Sequence, residues 1–93
     1  MQSSLQPVRM RKLVNDWLSD IGETSLFADG FDDAIIGLSY DPLAGAYRVC
    51  YSIGSCHECL MKYGEMSLDE AIEYFEYNVI GSYMGPDTPI FVI

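Results

Sequence analysis

The sequence predicts an α+β domain whose helices pack on one face of a small, mostly antiparallel sheet. Three observations indicate this fold class. Apolar residues recur at helical spacing near both ends of the chain, two central segments alternate as strands do, and serine–glutamate capping signals precede two short helices. The predicted order is αββααβ, with the last strand formed by the apolar segment 88–93.

The first predicted helix begins at Pro7, because a proline in the first helical turn loses no helical hydrogen bond. Gly22 is typical of the residue that follows a helix end. The bases of this helix precede its acids, which opposes the helix dipole, so packing must hold it in place. Residues 1–6 are expected to be frayed. One apolar face is predicted for the helix, formed by Met10, Leu13, Val14, Trp17, Leu18 and Ile21.

A β-hairpin is predicted after a loop that turns at Asp29–Gly30. Its strands span residues 34–40 and 46–53, and residues 41–45 supply the proline and glycine of the connecting turn. Strict alternation of side chains would place these first-strand residues on one face: Ile36, Leu38 and Tyr40.

Two short helices are expected next, each opened by an S-x-x-E capping box at Ser55 or Ser67. The first helix should cover residues 56–63 and stop at Gly64, and the second should cover residues 68–80. The apolar face of the second helix is predicted to contain Leu68, Ala71, Ile72, Phe75 and Val79.

The charge balance limits the classes of function. The 93 residues contain five Lys or Arg against fourteen Asp or Glu, a formal net charge of −9. Three of the bases are Arg9, Arg11 and Lys12, so residues 13–93 carry two bases and fourteen acids. Such a surface repels a phosphate backbone, and we expect no direct binding of nucleic acid. A hydrophobic content of 49% is nevertheless too high for a disordered acidic tail.

The sequence also bears on location. Its apolar runs are too short to span a membrane, and its N-terminus lacks the apolar stretch of a signal peptide. We therefore expect one domain, residues 1–93, acting in the cytoplasm without membrane contact.

The predicted C-terminal helix carries the most informative pattern. Asp69, Glu73 and Glu76 recur at spacings of four and three, so they share one side of the helix, here called the acidic stripe. Residues 63–93 contain no Lys or Arg to relieve the repulsion along this row. The stripe is either a solvated face or a docking surface for a basic protein, one that imitates nucleic-acid phosphate. With its neighbours it defines the predicted partner-binding set: Asp69, Glu70, Glu73, Tyr74, Glu76 and Tyr77.

A second cluster, Cys50, Cys56, His57 and Cys59, has the donors of a zinc or redox site. Its spacing disfavours zinc, because His57 would point about 100° away from Cys56 and the ligands do not form two separated pairs. The Cys-x-x-Cys motif at a helix start is thioredoxin-like, but in those folds it comes early in the chain. We expect reduced thiols without metal or cofactor, and a redox or metal role stays open.

The sequence shows no catalytic constellation. The single histidine has no evident nucleophile with a third orienting group, adjacent acids point apart, and no glycine-rich phosphate loop is present. We therefore expect that the protein is not an enzyme.

Three stretches, Asp29–Gly37, Met66–Tyr83 and Thr88–Phe91, resemble a family of small proteins of tailed bacteriophages. The run Glu-Tyr-Phe-Glu-Tyr-Asn at residues 73–78 is the most distinctive part, and the resemblance covers about residues 29–93. It implies a phage accessory protein in the cytoplasm of the infected bacterial host. Such genes often encode inhibitors of host or defence proteins, and the resemblance brings no catalytic residues with it.

Together these observations favour a non-enzymatic binding module that inhibits or modulates a basic, nucleic-acid-binding host or anti-phage defence protein. Two alternatives stay open. In the first, the chain is a structural or housekeeping phage protein that self-associates as a homodimer through a tyrosine-rich sheet or helix face. It is otherwise a protein that sequesters a small ligand in a pocket at a dimer interface.

Overall fold

A computed structural model describes residues 7–81, 85 and 87–93, with side chains from residue 10 onward. The predicted α+β class and the order αββααβ are confirmed. Residues 1–6, expected to be frayed, lie outside the described residues. The helices and strands are α1 (Pro7–Asp20), β1 (Ile35–Asp41), β2 (Ala46–Ser52), α2 (Ile53–Tyr63), α3 (Leu68–Phe75) and β3 (Ile90–Val92). A 3₁₀ turn, Asp32–Ala34, precedes β1, and a π-helical turn, Glu76–Ile80, extends α3.

The sheet has the order β1-β2-β3 and is mixed. β1 and β2 form the predicted antiparallel hairpin, whereas β3 runs parallel to β2, with Cys50 opposite Ile90 and Ser52 opposite Val92. Parallel neighbours need a long crossover connection. The segment that contains α2 and α3 provides this crossover from the central strand, β2, to the edge strand, β3.

A β-bulge changes the predicted faces of β1. Ile35 pairs with Tyr51 and the next pair is Gly37 with Cys50, so Ile36 is an extra residue in the ladder. The predicted face containing Ile36 and Leu38 is therefore wrong at Ile36. This side chain is exposed, while Ile35 is buried and Leu38 packs against the core.

The C-terminal end of α1 has the predicted glycine, in a Schellman arrangement. Gly22 has φ 74°, its N–H donates to the Ser19 carbonyl, and the Glu23 N–H donates to the Leu18 carbonyl at 2.8 Å. The single apolar face predicted for α1, however, is divided. Val14 and Leu18 are buried, whereas these residues are exposed: Leu13, Trp17 and Ile21. The predicted six-residue face is wider than the small core can cover.

The start of α2 differs from its prediction, and the start of α3 agrees. Ser52, the last residue of β2, caps α2 by accepting a hydrogen bond from the Ser55 N–H at 3.2 Å. The capping box predicted at Ser55 is wrong because the strand passes directly into the helix. In α3 both bonds of the predicted box are present, between Ser67 and Glu70, at 2.8 and 3.2 Å.

The core joins the sheet to all three helices. Its largest fully buried side chains are Tyr51, Phe75, Leu18, Val49 and Cys56. The Tyr51 hydroxyl accepts a hydrogen bond from the Ala28 N–H at 2.8 Å. This bond fixes the long loop between α1 and β1 to strand β2. In α3 the predicted core positions Ala71 and Phe75 are buried. Leu68, the first residue of the helix, is 50% exposed, so its predicted place on the apolar face is wrong. Among the described residues, no helix is both long and apolar enough to cross a membrane.

The two candidate caps of α2 provide a test of the fold. We expect Ser52→Ala to lower the free energy of unfolding by about 1 kcal/mol, because the Ser55 N–H then loses its partner. Ser55→Ala should change it by less than about 0.5 kcal/mol. Urea denaturation followed by circular dichroism measures both. A larger loss for Ser55→Ala than for Ser52→Ala would instead identify Ser55 as the N-cap of α2, as the sequence predicted.

Candidate functional site

The core contacts of α3 determine where the acidic stripe points. Ala71 and Phe75 are buried on the inner side of the helix. Residues two positions away lie about 200° round a helix, so Asp69 and Glu73 project from the opposite side. Both are exposed, as is Glu76 in the following π-helical turn. The structure therefore places the predicted acidic stripe on the surface.

In the described part of the chain, no Lys or Arg side chain forms an ion pair with a carboxylate of the stripe. The side chain of Arg9 is not among the described ones. The other bases contact groups outside the stripe. Arg11 lies 3.4 Å from Asp29 and 3.1 Å from Asp32. Lys12 lies 3.0 Å from Asp16, Arg48 lies 3.9 Å from Asp41, and the Lys62 ammonium lies over the Tyr63 ring at 5.1 Å from its centroid. The three carboxylates of the stripe therefore repel one another, and no base among the described side chains is paired with them.

Glu70 has a different position from the stripe. Its Oε1 accepts the Ser67 N–H, which closes the capping box and fixes the start of α3. A carboxylate at this helix end also interacts favourably with the helix dipole. Glu70 thus orients the helix that carries the stripe, in addition to its predicted place in the partner-binding set.

An open groove of about 390 Å³ lies beside the stripe. It brings together four of the six predicted partner-binding residues, while Asp69 and Glu76 lie outside its lining. Tyr77 is 79% exposed and Tyr74 is also exposed, so both rings are accessible to a partner. The residues that line the groove are Met66, Glu70, Glu73, Tyr74, Tyr77 and Asn78.

Two residues of the groove, Met66 and Asn78, were missed by sequence reasoning. The Asn78 side-chain amide donates to the Tyr74 carbonyl at 3.2 Å, one turn earlier in the chain. The four-residue spacing from Tyr74 was the signal that could have included Asn78. Met66 precedes the helix, and no helical periodicity reaches it.

The cysteine cluster has the environment of structural thiols. Cys56 and Cys59 are buried in the core. Burial, and to a smaller extent the nearby Cys59, raises the pKa of the Cys56 thiol to about 12. Burial, and to a smaller extent the charge of Asp33, raises the pKa of the Cys59 thiol. A reactive thiol requires the opposite shift. His57 packs edge-on against the Phe75 ring, with centroids 5.3 Å apart.

All three cysteines are free. Among the described residues, no group of three or more His, Cys, Asp or Glu side chains is placed to hold a metal ion.

No protein-family model matches this chain, and no curated protein sequence or solved structure matches it either.

The buried Cys56 thiol predicts a loss of stability at alkaline pH. Below pH 9.0, the ordinary pKa of a thiol, Cys56 is protonated in both the folded and the unfolded chain. Above that pH the unfolded chain loses this proton, whereas the folded chain retains it up to about pH 12. Stability should therefore fall as the pH rises through this window, and Tyr51, whose pKa burial raises to about 12, adds to the loss above pH 10.

Urea midpoints measured between pH 7 and 11 test this expectation. Cys56→Ala lowers stability at every pH by opening a cavity, but it should make the decline above pH 9 shallower. Cys50→Ala is the comparison: burial also raises the pKa of this partly buried thiol, but without the large shift of Cys56, so its removal should change the slope less. Identical pH slopes for wild type and Cys56→Ala would contradict the assignment.

Proposed function

We propose that this chain is a small phage accessory protein that binds a basic, nucleic-acid-binding host or anti-phage defence protein and inhibits or modulates it without enzymatic chemistry. It would act in the cytoplasm of the infected bacterial host. The observation that carries the proposal is the acidic stripe on α3, three exposed carboxylates with which no described base is paired. The bacteriophage resemblance of residues 29–93 supports the setting.

No base among the described side chains is paired with the stripe, and this favours a basic partner. In the free protein its carboxylates repel one another, and a partner's Lys or Arg side chains relieve that repulsion. Exposed ion pairs contribute only about 0.2–1 kcal/mol each, so the stripe supplies mainly association rate and specificity. The net charge of −9 extends the same attraction beyond the contact surface.

The spacing of the stripe supports an imitation of nucleic-acid phosphate. Four and three residues of helix advance about 6 and 4.5 Å along the axis. One strand of duplex DNA presents a phosphate about every 3.4 Å of helix axis. The carboxylates of the stripe are therefore spaced more widely than the phosphates of one DNA strand, but by a similar number of ångströms. This spacing suits a protein surface that normally contacts phosphates.

The groove beside the acidic stripe contributes exposed aromatic side chains that can anchor a partner. Tyr74 and Tyr77 expose aromatic rings beside the carboxylates of Glu70 and Glu73. An Arg or Lys side chain placed there would contact both a ring face and a carboxylate, and a cation over an aromatic ring contributes about 0.5–2 kcal/mol. Aromatic anchors of this kind dominate the affinity of many interfaces.

Neutralising the acidic stripe tests the proposal. The triple variant Asp69→Asn, Glu73→Gln, Glu76→Gln should recover far less partner from infected cells than wild type does. With the purified partner, its dissociation constant at low salt should rise about tenfold or more, and the dependence on salt should become flatter. Duplex DNA should compete with the wild-type chain for the partner.

The matched control removes the same charge elsewhere. Glu23, Glu58 and Glu65 are exposed acids outside α3, and changing all three to Gln should leave the complex close to wild type. A complex of the stripe variant as tight as wild type at low salt would refute the docking surface. An equal loss in both triple variants would show that only net charge matters.

Tyr77 gives a separate test of the groove. Because this side chain is 79% exposed, Tyr77→Ala should change the free energy of unfolding by less than about 0.5 kcal/mol. The same variant should raise the dissociation constant of the complex about tenfold. Leu43→Ala, at the exposed tip of the hairpin, is the control, and titration calorimetry with urea denaturation separates the two effects.

A further inference from the structure

The groove beside the acidic stripe adjoins two further open cavities. The middle cavity, of about 380 Å³, lies between α3 and the end of α2 and shares Tyr74 and Asn78 with the groove. The end cavity, of about 240 Å³, reaches β3 and shares Phe31, Asn78 and Val79 with the middle cavity. Asn78, in the π-helical turn after α3, thus lines all three. We call the groove and the two cavities together the extended groove.

Charge is distributed unevenly along the extended groove. Glu70 and Glu73 line its first part, and no Lys or Arg is among the described residues that line any part of it. Glu73 is exposed, and no described base forms an ion pair with it. Asp29 lines the other two cavities but lies 3.4 Å from Arg11, so its charge already has a partner within the chain. A positive group is therefore attracted to the α3 end of the extended groove.

The middle and end cavities are lined mainly by apolar and aromatic side chains. Leu60 lines the middle cavity, Phe91 lines the end cavity, and Phe31 and Val79 line both. The side chains of Leu60, Val79 and Phe91 are only partly buried. An apolar side chain placed against them would remove more of their surface from water, which is favourable. The acidic end thus attracts a basic group, and the rest of the extended groove favours apolar ones.

An extended peptide is the occupant that combines these features. A small molecule is usually bound in one pocket that covers most of its surface, whereas adjoining pockets can each take an alternate side chain of a peptide. The Asn78 amide donates one hydrogen bond, to the Tyr74 carbonyl, and makes no second one with the described residues. Its other N–H and its carbonyl oxygen match the hydrogen-bonding groups of a peptide backbone. Turns of π-helix are rare and occur frequently at functional sites.

We propose that the extended groove binds an extended peptide segment of the partner. A Lys or Arg side chain of this segment lies at Glu73 beside Tyr74 and Tyr77, and alternate apolar side chains occupy the middle and end cavities. Alternate residues share one side of an extended chain, so one segment can supply all of them. This inference rests on the proposed function, because it names the part of the basic partner that the groove recognises. It also predicts that basic charge alone binds weakly.

Two fluorescein-labelled, capped peptides of equal charge test this inference. One is Lys-Arg-Lys-Leu-Lys-Leu-Lys, and the other has serine in place of both leucines; each is also made in reverse order, because the direction of the segment is part of the test. In one of the two orders, the leucine peptide should bind the full chain about tenfold more tightly than its serine counterpart, measured by fluorescence anisotropy. Because the charges are equal, this advantage should persist when salt weakens both complexes. Equal affinities in both orders overturn the inference.

A matched pair of variants locates the apolar contact. Asn78→Trp places a large ring where the three cavities meet and should reduce the advantage of the leucine peptide to less than about twofold. Ile80→Trp changes an exposed residue of the same turn that is not among the lining residues, and it should retain the advantage. Equal effects of the two changes overturn the assignment.

Nuclear magnetic resonance of the wild-type chain gives a test that does not depend on the folding of a variant. The leucine peptide should shift the amide signals of Leu60 and Phe91, which line the middle and end cavities. The serine peptide should shift signals of the groove, such as those of Glu73 and Tyr77, without shifting the other two. Leucine-peptide binding that leaves Leu60 and Phe91 unshifted overturns the inference.

The triple variant of the acidic stripe separates this inference from the proposed function. It should weaken both peptides and leave the ratio of their affinities unchanged, because it does not alter the apolar cavities. Affinity that depends on the stripe without an advantage of the leucine peptide overturns this inference alone. An advantage that Asn78→Trp removes, together with no effect of the triple variant, contradicts the acidic docking surface and supports the apolar part of the extended groove.

Discussion

The burial of Phe75 is the contact on which the arrangement of the described chain depends. Its ring meets Phe31, His57 and Phe91 edge-on, with centroids 5.3 to 6.2 Å apart. These contacts tie α3 to the long loop, to α2 and to β3 at once. Because the inner side of α3 is fixed in this way, its carboxylates have only the outer side to occupy. The electrostatic surface is thus a consequence of one aromatic cluster.

The few bases of the chain serve its structure. Arg11 lies over the Phe27 ring at 4.6 Å and contacts Asp29 and Asp32, so it joins α1 to the loop before β1. Lys12 is occupied within α1. Such exposed pairs contribute little stability individually. Their larger effect is on the distribution of charge, because acids near α1 pair with bases, whereas no described base pairs with the acidic stripe.

Sequence reasoning succeeded where the signal was local. The capping box of Ser67 and Glu70 depends on four consecutive residues, and the acidic stripe depends only on helical spacing, so both could be predicted. It failed where tertiary contacts determine the outcome. The bulge at Ile36 follows from pairing with β2, and the cap at Ser52 follows from a strand passing directly into a helix.

The division of the α1 face has the same origin. Helical periodicity identified every apolar residue of that face but could not say how many the sheet would cover. The lining of the groove was predicted only in part for a related reason, since Met66 reaches it from outside the helix. Periodicity thus assigns side chains to a face of their own element, whereas burial depends on the neighbouring elements.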